Sequence, residues 1–215
     1  MMKRLLCCLP ILLSLPIASA LPTGVLQVCP EQSLVTIFVD RGAGLSRLGH
    51  QHLISIHNLQ GEVQLQTPVS SSTATVRALL SAMAVDEPGL RKAAGMEGEL
   101  SKKSIAKTRR NMLTKVLAVS SYPEVSINIT EFKLQQGDNT QGLLNSVIGL
   151  QGQALTVDIP ATIELDANRL HATGQFKINQ SDFGIKPFST LLGMIAIADE
   201  LLIKFDVVAS KIKCH

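Results

Sequence analysis

Aromatic residues are scarce in this sequence, with no tryptophan, one tyrosine and six phenylalanines among 215 residues. An interior built from the chain must therefore be lined mainly by Leu, Ile, Val, Met and Ala. Charge is also thin. Charged residues make up 17% against 46% hydrophobic, and the formal net charge is +3. Lys3 and Arg4 belong to an N-terminal leader, and losing those two charges takes the remainder to +1. That is not the charge of a polyanion-binding domain, and nucleic acid is a poor candidate partner. Beyond the N-terminus there is no long apolar run; Leu191 to Ile203 comes nearest, and Asp199 and Glu200 interrupt it. The chain has no Gly-x-Ser-x-Gly elbow and neither a Rossmann nor a P-loop glycine pattern, so no cofactor and no nucleophilic catalysis are implied. Asp199 and Glu200 are adjacent and would face opposite sides of a strand, which makes them poor acid–base partners.

What is present starts with an export leader. Met1 to Arg4 is positive, Leu5 to Ile17 is apolar, and Ala18-Ser19-Ala20 has the small residues of a cleavage site. The apolar part is too short to span about 30 Å and contains Pro10 and Pro16. Cys7 and Cys8 sit at its start, where a lipoprotein cysteine would not. Cleavage is expected near Ala20, leaving residues 21–215 as one domain in a periplasmic compartment. Cys29 and Cys214 survive cleavage. An even pair in an oxidising compartment is a disulfide candidate, two free thiols being the alternative.

The mature chain alternates with the period of β-structure. Ser33 to Val39 sets Val35, Ile37 and Val39 against Leu34, Thr36 and Phe38. Leu53 to His57 and Glu62 to Gln66 read as strands, with Asn58 to Gly61 as a hairpin turn between them. Ala74 to Val85 is β-compatible. Further strands are expected at Glu124 to Ile129, Glu131 to Gln135, Ser146 to Leu150, Gln153 to Ile159, Thr162 to Asp166, Leu170 to Ile178 and Leu201 to Ala209. Gln136 to Asn139, Gln151-Gly152 and Asp166 to Arg169 have turn chemistry. Many short strands with polar outward faces indicate an all-β antiparallel sandwich or barrel. A barrel of about eight strands has room either for its own side chains or for one small ligand, and composition does not choose between them.

One segment departs from this pattern. Pro88 to Leu117 favours helix, split by Gly95 and Gly98, with a second helix starting near Ser101. On that helix Ile105, Met112 and Val116 form a stripe, while Lys102, Lys103, Lys107, Arg109, Arg110 and Lys115 occupy much of the rest. Such a face either keeps an exposed helix soluble or makes transient contact with anionic headgroups at a membrane surface.

The histidines are the remaining chemical candidates. His50 and His52 would share a face of a strand, with His57 beyond them. The spacing matches no strong zinc motif, and structural histidines, a polar cluster and a metal site all stay open.

The C-terminal third resembles the closing block of the YceI-like family: Gly174-Gln175-Phe176-Lys177-Ile178, then Ser181-Asp182-Phe183-Gly184-Ile185, then Phe188-Ser189-Thr190-Leu191-Leu192-Gly193, then the strand from Asp199. Ser121-Tyr122-Pro123-Glu124-Val125, Gly149 to Val157 and Gly49-His50-Gln51-His52 resemble other parts of that family in order. The helical segment is longer and more basic than the usual connection, and Gly142 to Ile148 has little of the family's patterning. The resemblance implies a periplasmic, lipocalin-like antiparallel barrel of about eight strands with a helical insertion. It also implies a long apolar isoprenoid ligand, of polyprenyl or quinone type, held inside. The ligand contacts so implied are Phe38, His50, His52, Phe176, Phe183, Ile185, Phe188, Leu191 and Leu192, with Arg47 or Lys186 as further donors to a polar head. Ser181 to Gly193, rich in large apolar residues for a connection, is expected to cross one end of the cavity. A filled barrel serving protein contacts or a stress response is the alternative, and a metal site at the histidines is another.

Overall fold

The computed structural model describes residues 23–42, 50–96, 98–135, 138–190 and 195–214. The leader and its cleavage site lie outside them. The strands are β1 (Gly24–Val28), β2 (Leu34–Arg41), β3 (His52–Ile56), β4 (Gln60–Leu65), β5 (Thr73–Leu79), β6 (Ala84–Val85), β7 (Glu124–Gln135), β8 (Asp138–Leu150), β9 (Gln153–Leu165), β10 (Arg169–Asn179), β11 (Ser189–Thr190) and β12 (Ile195–Ser210). Helices α1 (Pro88–Ala93) and α2 (Lys102–Asn111) lie between β6 and β7.

Six of the shorter strands form three bent ribbons. β1 pairs with β4 while β2 pairs with β3, and β4 pairs with β5 while β3 pairs with β6. The ribbons β1/β2, β3/β4 and β5/β6 are followed by β7, β8, β9, β10 and β12, each antiparallel to the next. β12 closes the circle against β2, with Ile203 opposite Ile37, and against β1, with Gln27 opposite Ser210. The result is a closed antiparallel barrel of eight ribbons. Closure pairs the first and last ribbons with each other, so neither is left as an outer edge.

The expected hairpin at Asn58 to Gly61 is not formed. β3 runs on into β4 without reversing, and the two do not pair with each other. Gly61 is needed for a close approach rather than a turn, since a Cβ there would lie 2.0 Å from the Thr75 carbonyl oxygen on β5. Two other pairs of expected strands fuse as well. Glu124 to Gln135 is one strand with a register shift between Ile129 and Glu131, and Gln153 to Leu165 is one strand passing through Pro160. The β8–β9 connection at Gln151-Gly152 is a tight hairpin with both residues at positive φ, 52° and 74°.

β9 and β10 pair only from Leu165 opposite Leu170 to Ala161 opposite Gly174. The ladder stops beside Pro160, which has no N–H to contribute. Towards the helix end a cleft of about 240 Å³ opens there, lined by Leu155, Val157, Lys177, Ile178 and Asp182 among others.

The helical insertion follows its sequence signals closely. Pro88 occupies the first turn of α1, and Gly95 at φ 67° ends it in a left-handed cap. The Ser101 hydroxyl accepts the Ser104 N–H at 3.2 Å as the N-cap of α2, which continues into a π-turn at Met112–Val116. Arg109 ties α2 to the barrel rim by donating to the carbonyls of Met83 (3.0 Å) and Ser81 (2.5 Å).

At the opposite end a disulfide joins Cys29 to Cys214, with Cα atoms 5.4 Å apart. It sits where β1 bends into β2. There the Cys29 N–H donates to the Val208 carbonyl at 2.8 Å, and the Val208 N–H donates to Ser33 Oγ at 3.0 Å. The bridge spans 185 residues of sequence. Loop-closure entropy for a span of that size is about 5 kcal/mol. The Cys29→Ala/Cys214→Ala double variant is expected to lose up to that amount in equilibrium urea unfolding. A loss below about 1 kcal/mol would show that the open chain is already constrained by other means.

Candidate functional site

The barrel is hollow. Its inward residues enclose a cavity of about 310 Å³ that touches all eight ribbons and α2. Along β12 the lining runs from Ile197 to Val207. Ten residue steps correspond to about 33 Å of strand, or about 25 Å along a barrel axis with a typical tilt. The lining therefore extends along most of the barrel.

Strict alternation makes the wall almost wholly apolar. Val35, Ile37 and Val39 of β2 face in, as do Ile54 and Ile56 of β3 and Ala74, Val76 and Ala78 of β5. The few phenylalanines are concentrated here: Phe132, Phe176, Phe183, Phe188 and Phe205 all line the cavity. Phe176 and Phe205 meet edge-to-face with ring centroids 6.4 Å apart. Phe205 lies over Gly174, its partner on β10, where an added Cβ would come within 2.5 Å of the ring and 2.3 Å of the Pro160 carbonyl oxygen.

The segment after β10 brings further apolar groups to the cavity. A 3-10 turn, Gln180–Phe183, is held by a capping box between Asn179 and Asp182 and ends at Gly184, φ 70°. The Ser181 N–H donates to the Asp199 carboxylate at 2.9 Å, and the Gln180 amide donates to the Ala198 carbonyl at 2.8 Å. Phe183 and Ile185 are thereby buried against the cavity, with Phe188 following.

Polar groups collect at the helix end. His52 lines the cavity from β3, and Thr108 and Asn111 line it from α2. His52 Nδ1 lies 2.6 Å from Asp86 Oδ2. Asp86, 1% exposed, also accepts the Leu53 N–H at 3.0 Å and Arg91 Nη1 at 2.8 Å. Its backbone takes φ 55°, uncommon outside glycine, and is pinned there by its own N–H donating to the Leu53 carbonyl at 2.7 Å. Arg91 also donates to the Gln51 carbonyl at 2.8 Å. Burial pushes the Asp86 carboxyl up. The hydrogen bonds from His52, Leu53 and Arg91 and the charge of His52 outweigh that and hold it below the ordinary value. Glu87, on the other side of β3, is also lowered: burial raises it, and hydrogen bonds from His57 and Ser55 more than offset the rise.

Of the contacts expected from the sequence, His52, Phe176, Phe183, Ile185 and Phe188 stand on the cavity wall. Phe38 does not. The alternation of β2 turns it to the outer face, where Lys204 Nζ sits 5.0 Å from the ring centroid. His50 and Lys186 are exposed and away from the lining, and His57 is occupied with Glu87 at 2.8 Å. Leu191, Leu192 and Arg47 lie outside the described residues. Among the described residues no group of three or more His, Cys, Asp or Glu side chains is placed to hold a metal. Sequence reasoning missed Asp86, Arg91, Thr108 and Asn111. The one available signal was Asp86-Glu87 directly before a proline-started helix that carries Arg91 one turn in.

Residues 28–209 match the YceI-like domain. No curated protein matches the chain by sequence. Among solved structures the chain resembles Burkholderia cenocepacia BcnA, with 16% identity and a TM-score of 0.61 over 85% of this chain and 99% of that one. It resembles a polyisoprenoid binding domain from Saccharophagus degradans implicated in plant cell wall breakdown at 11% identity and TM-score 0.59, over 87% and 98% of the two chains. The Campylobacter jejuni YCEI protein follows at 12% identity and TM-score 0.52, over 74% and 85%. At these identities the likeness is one of fold.

Because the Asp86 pKa is lowered on folding, its contribution is complete above the unfolded value near 4 and is lost as pH falls through the folded one. Glu87 acts in the same direction and window. Asp86→Asn is expected to cost about 3 kcal/mol at neutral pH, since it removes the buried carboxylate that pairs with both Arg91 and His52. It should also flatten, without abolishing, the loss of stability below pH 4. Urea unfolding across pH 2.5–7 measures both; an unchanged acid slope would remove Asp86 from the account.

Proposed function

The chain belongs to the YceI-like domain family, and on that footing we propose that it is a periplasmic carrier that binds a long isoprenoid lipid, of polyprenyl or quinone type, inside its barrel. The observation that carries this reading is the cavity itself, about 310 Å³ and lined along its length by aliphatic and phenylalanine side chains. A methyl-branched chain has little polar demand and gains about 25 cal/mol per Å² of apolar surface buried, before the cost of ordering it is subtracted. The fold shared with a polyisoprenoid binding domain supports the same class of ligand. The N-terminal leader pattern and the Cys29–Cys214 bridge support an oxidising, exported location. The role is binding, not turnover. Organic extraction of the purified mature protein followed by mass spectrometry should recover a polyprenoid in near-stoichiometric amount. Protein that releases none, and that takes up no prenyl probe afterwards, would overturn the reading.

Loading from a membrane is the natural route for so insoluble a ligand, and α2 has the chemistry for it. Lys102, Lys103, Lys107, Arg110 and Lys115 are exposed on α2 and its π-turn, while Thr108, Asn111 and Met112 of the same stretch line the cavity. Cations beside the mouth would orient it towards anionic headgroups. Binding to phosphatidylglycerol-containing vesicles should therefore fall steeply as salt rises from about 0.05 to 0.5 M. Lys103→Glu/Lys107→Glu should abolish it while leaving the melting temperature within a few degrees. Vesicle binding indifferent to both would assign α2 a purely solvating role.

A further inference from the structure

The paired histidine on the cavity wall has a defined direction. Asp86 is held ionised and accepts from Leu53, Arg91 and His52, so the proton between Asp86 and His52 resides on Nδ1 of the imidazole. When the ring carries that proton alone, Nε2 is an acceptor. Nε2 has no hydrogen-bond partner among the described residues. Among the described residues no buried side-chain nitrogen or oxygen is left unsatisfied, so this atom faces open space rather than sealed core. The space available to it is the cavity, which His52 lines in register with Ile54 and Ile56. A carboxylate behind an imidazole makes the far nitrogen a stronger acceptor, as it does for histidines that ligate metals.

The remaining polar residues on the lining are Thr108, Asn111, Gln180 and Arg77. The Thr108 hydroxyl and the Asn111 carboxamide lack side-chain partners among the described residues, the Gln180 amide is spent on the Ala198 carbonyl, and Arg77 is exposed on β5 between the inward Val76 and Ala78. The basic residues of α2 do not reach in. Lys103, Lys107 and Arg110 are exposed and off the lining, and Arg109 is spent on the Met83 and Ser81 carbonyls. A phosphate head calls for a cluster of N–H donors or cations. Here it would meet a lone pair backed by the Asp86 carboxylate. A hydroxyl fits, donating to Nε2 and accepting from the Asn111 amide.

We propose, resting on the lipid-binding reading above, that His52 is the polar anchor of the cavity, and that the bound lipid carries a terminal hydroxyl, alcoholic or phenolic, in preference to a phosphate.

The test needs three probes of equal chain length: geranylgeraniol, its methyl ether, which removes the donor and keeps the oxygen, and geranylgeranyl phosphate. Each is titrated at about pH 8.5, where a free imidazole is neutral, against mature protein loaded with a fluorescent apolar reporter. Wild type should bind the alcohol about tenfold more tightly than the ether, and the phosphate no more tightly than the ether. His52→Leu should bring the alcohol-to-ether ratio to about one with ether binding unchanged. His52→Gln, whose carbonyl can still accept, should restore part of the preference. A prenylated phenol run beside the alcohol distinguishes the two hydroxyl sources. Equal binding of alcohol and ether by wild type, a preference that survives His52→Leu, or tighter binding of the phosphate each overturns the inference. The wild-type comparison does so without depending on a variant's folding. If none of the probes binds, the lipid-binding reading falls with it; if all bind alike, only the anchor does.

Discussion

Everything in this molecule depends on the closing of one sheet along β12. That strand is long enough to pair with β10 along one edge and with β2 and then β1 along the other. Once it does so, every ribbon has two neighbours and the side-chain alternation becomes binding on the whole chain. A residue faces either the interior or solvent, and a slip of one position would exchange the two sets. The Cys29–Cys214 bridge sits at the bend where β12 passes from β2 to β1, and the Ser33 hydroxyl stands in for a ladder bond at the same place. Covalent and hydrogen-bonded reinforcement thus meet at the joint whose opening would turn a barrel into a sheet with two bare edges.

Closure also explains why the interior has a cavity. Eight ribbons enclose more space than a lining of Val, Ile, Leu and Ala can fill, and five phenylalanines only narrow it. One of those rings, Phe205, takes the place of the side chain that Gly174 lacks. Native interiors are close-packed, so a continuous space bounded by flexible apolar groups is a costly arrangement unless something occupies it.

The strand alternation was legible in the sequence because a half-buried strand repeats every second residue. The face assignment Val35, Ile37, Val39 against Phe38 follows from it, and so does the outward position of Phe38, which the family resemblance alone had placed among the ligand contacts. The helical insertion was legible from Pro88, Gly95, Gly98 and the Ser101 cap. The ribbon bends were not. Asn58 to Gly61 has the composition of a turn whether the chain reverses or merely kinks, and what separates the two is the approach of Thr75 to Gly61, a contact between residues far apart in sequence. The polar mouth was hidden for the same reason. His52, Asp86, Arg91 and Asn111 come from β3, the loop after β6, α1 and α2, and no spacing rule links them.

The division of labour inside the cavity follows from what each kind of contact can discriminate. Apolar wall area gives affinity in proportion to surface buried, but one methylene more or less changes binding by only about 1–3 kcal/mol, so aliphatic walls select poorly among long chains. A buried polar group discriminates more sharply, because the wrong partner leaves it unpaired in a place water does not easily reach. This barrel has very few such groups on its wall, and the best oriented of them is held by a network reaching into α1. Arg91 and the Leu53 N–H fix the Asp86 carboxylate, and Asp86 fixes the tautomer and angle of His52. Asp86 does so at φ 55°, a backbone conformation uncommon outside glycine. A strained, buried, fully paired carboxylate behind a single open nitrogen is more arrangement than a structural histidine requires. In a wall otherwise indifferent to what it holds, that nitrogen is where the chain can tell one apolar ligand from another.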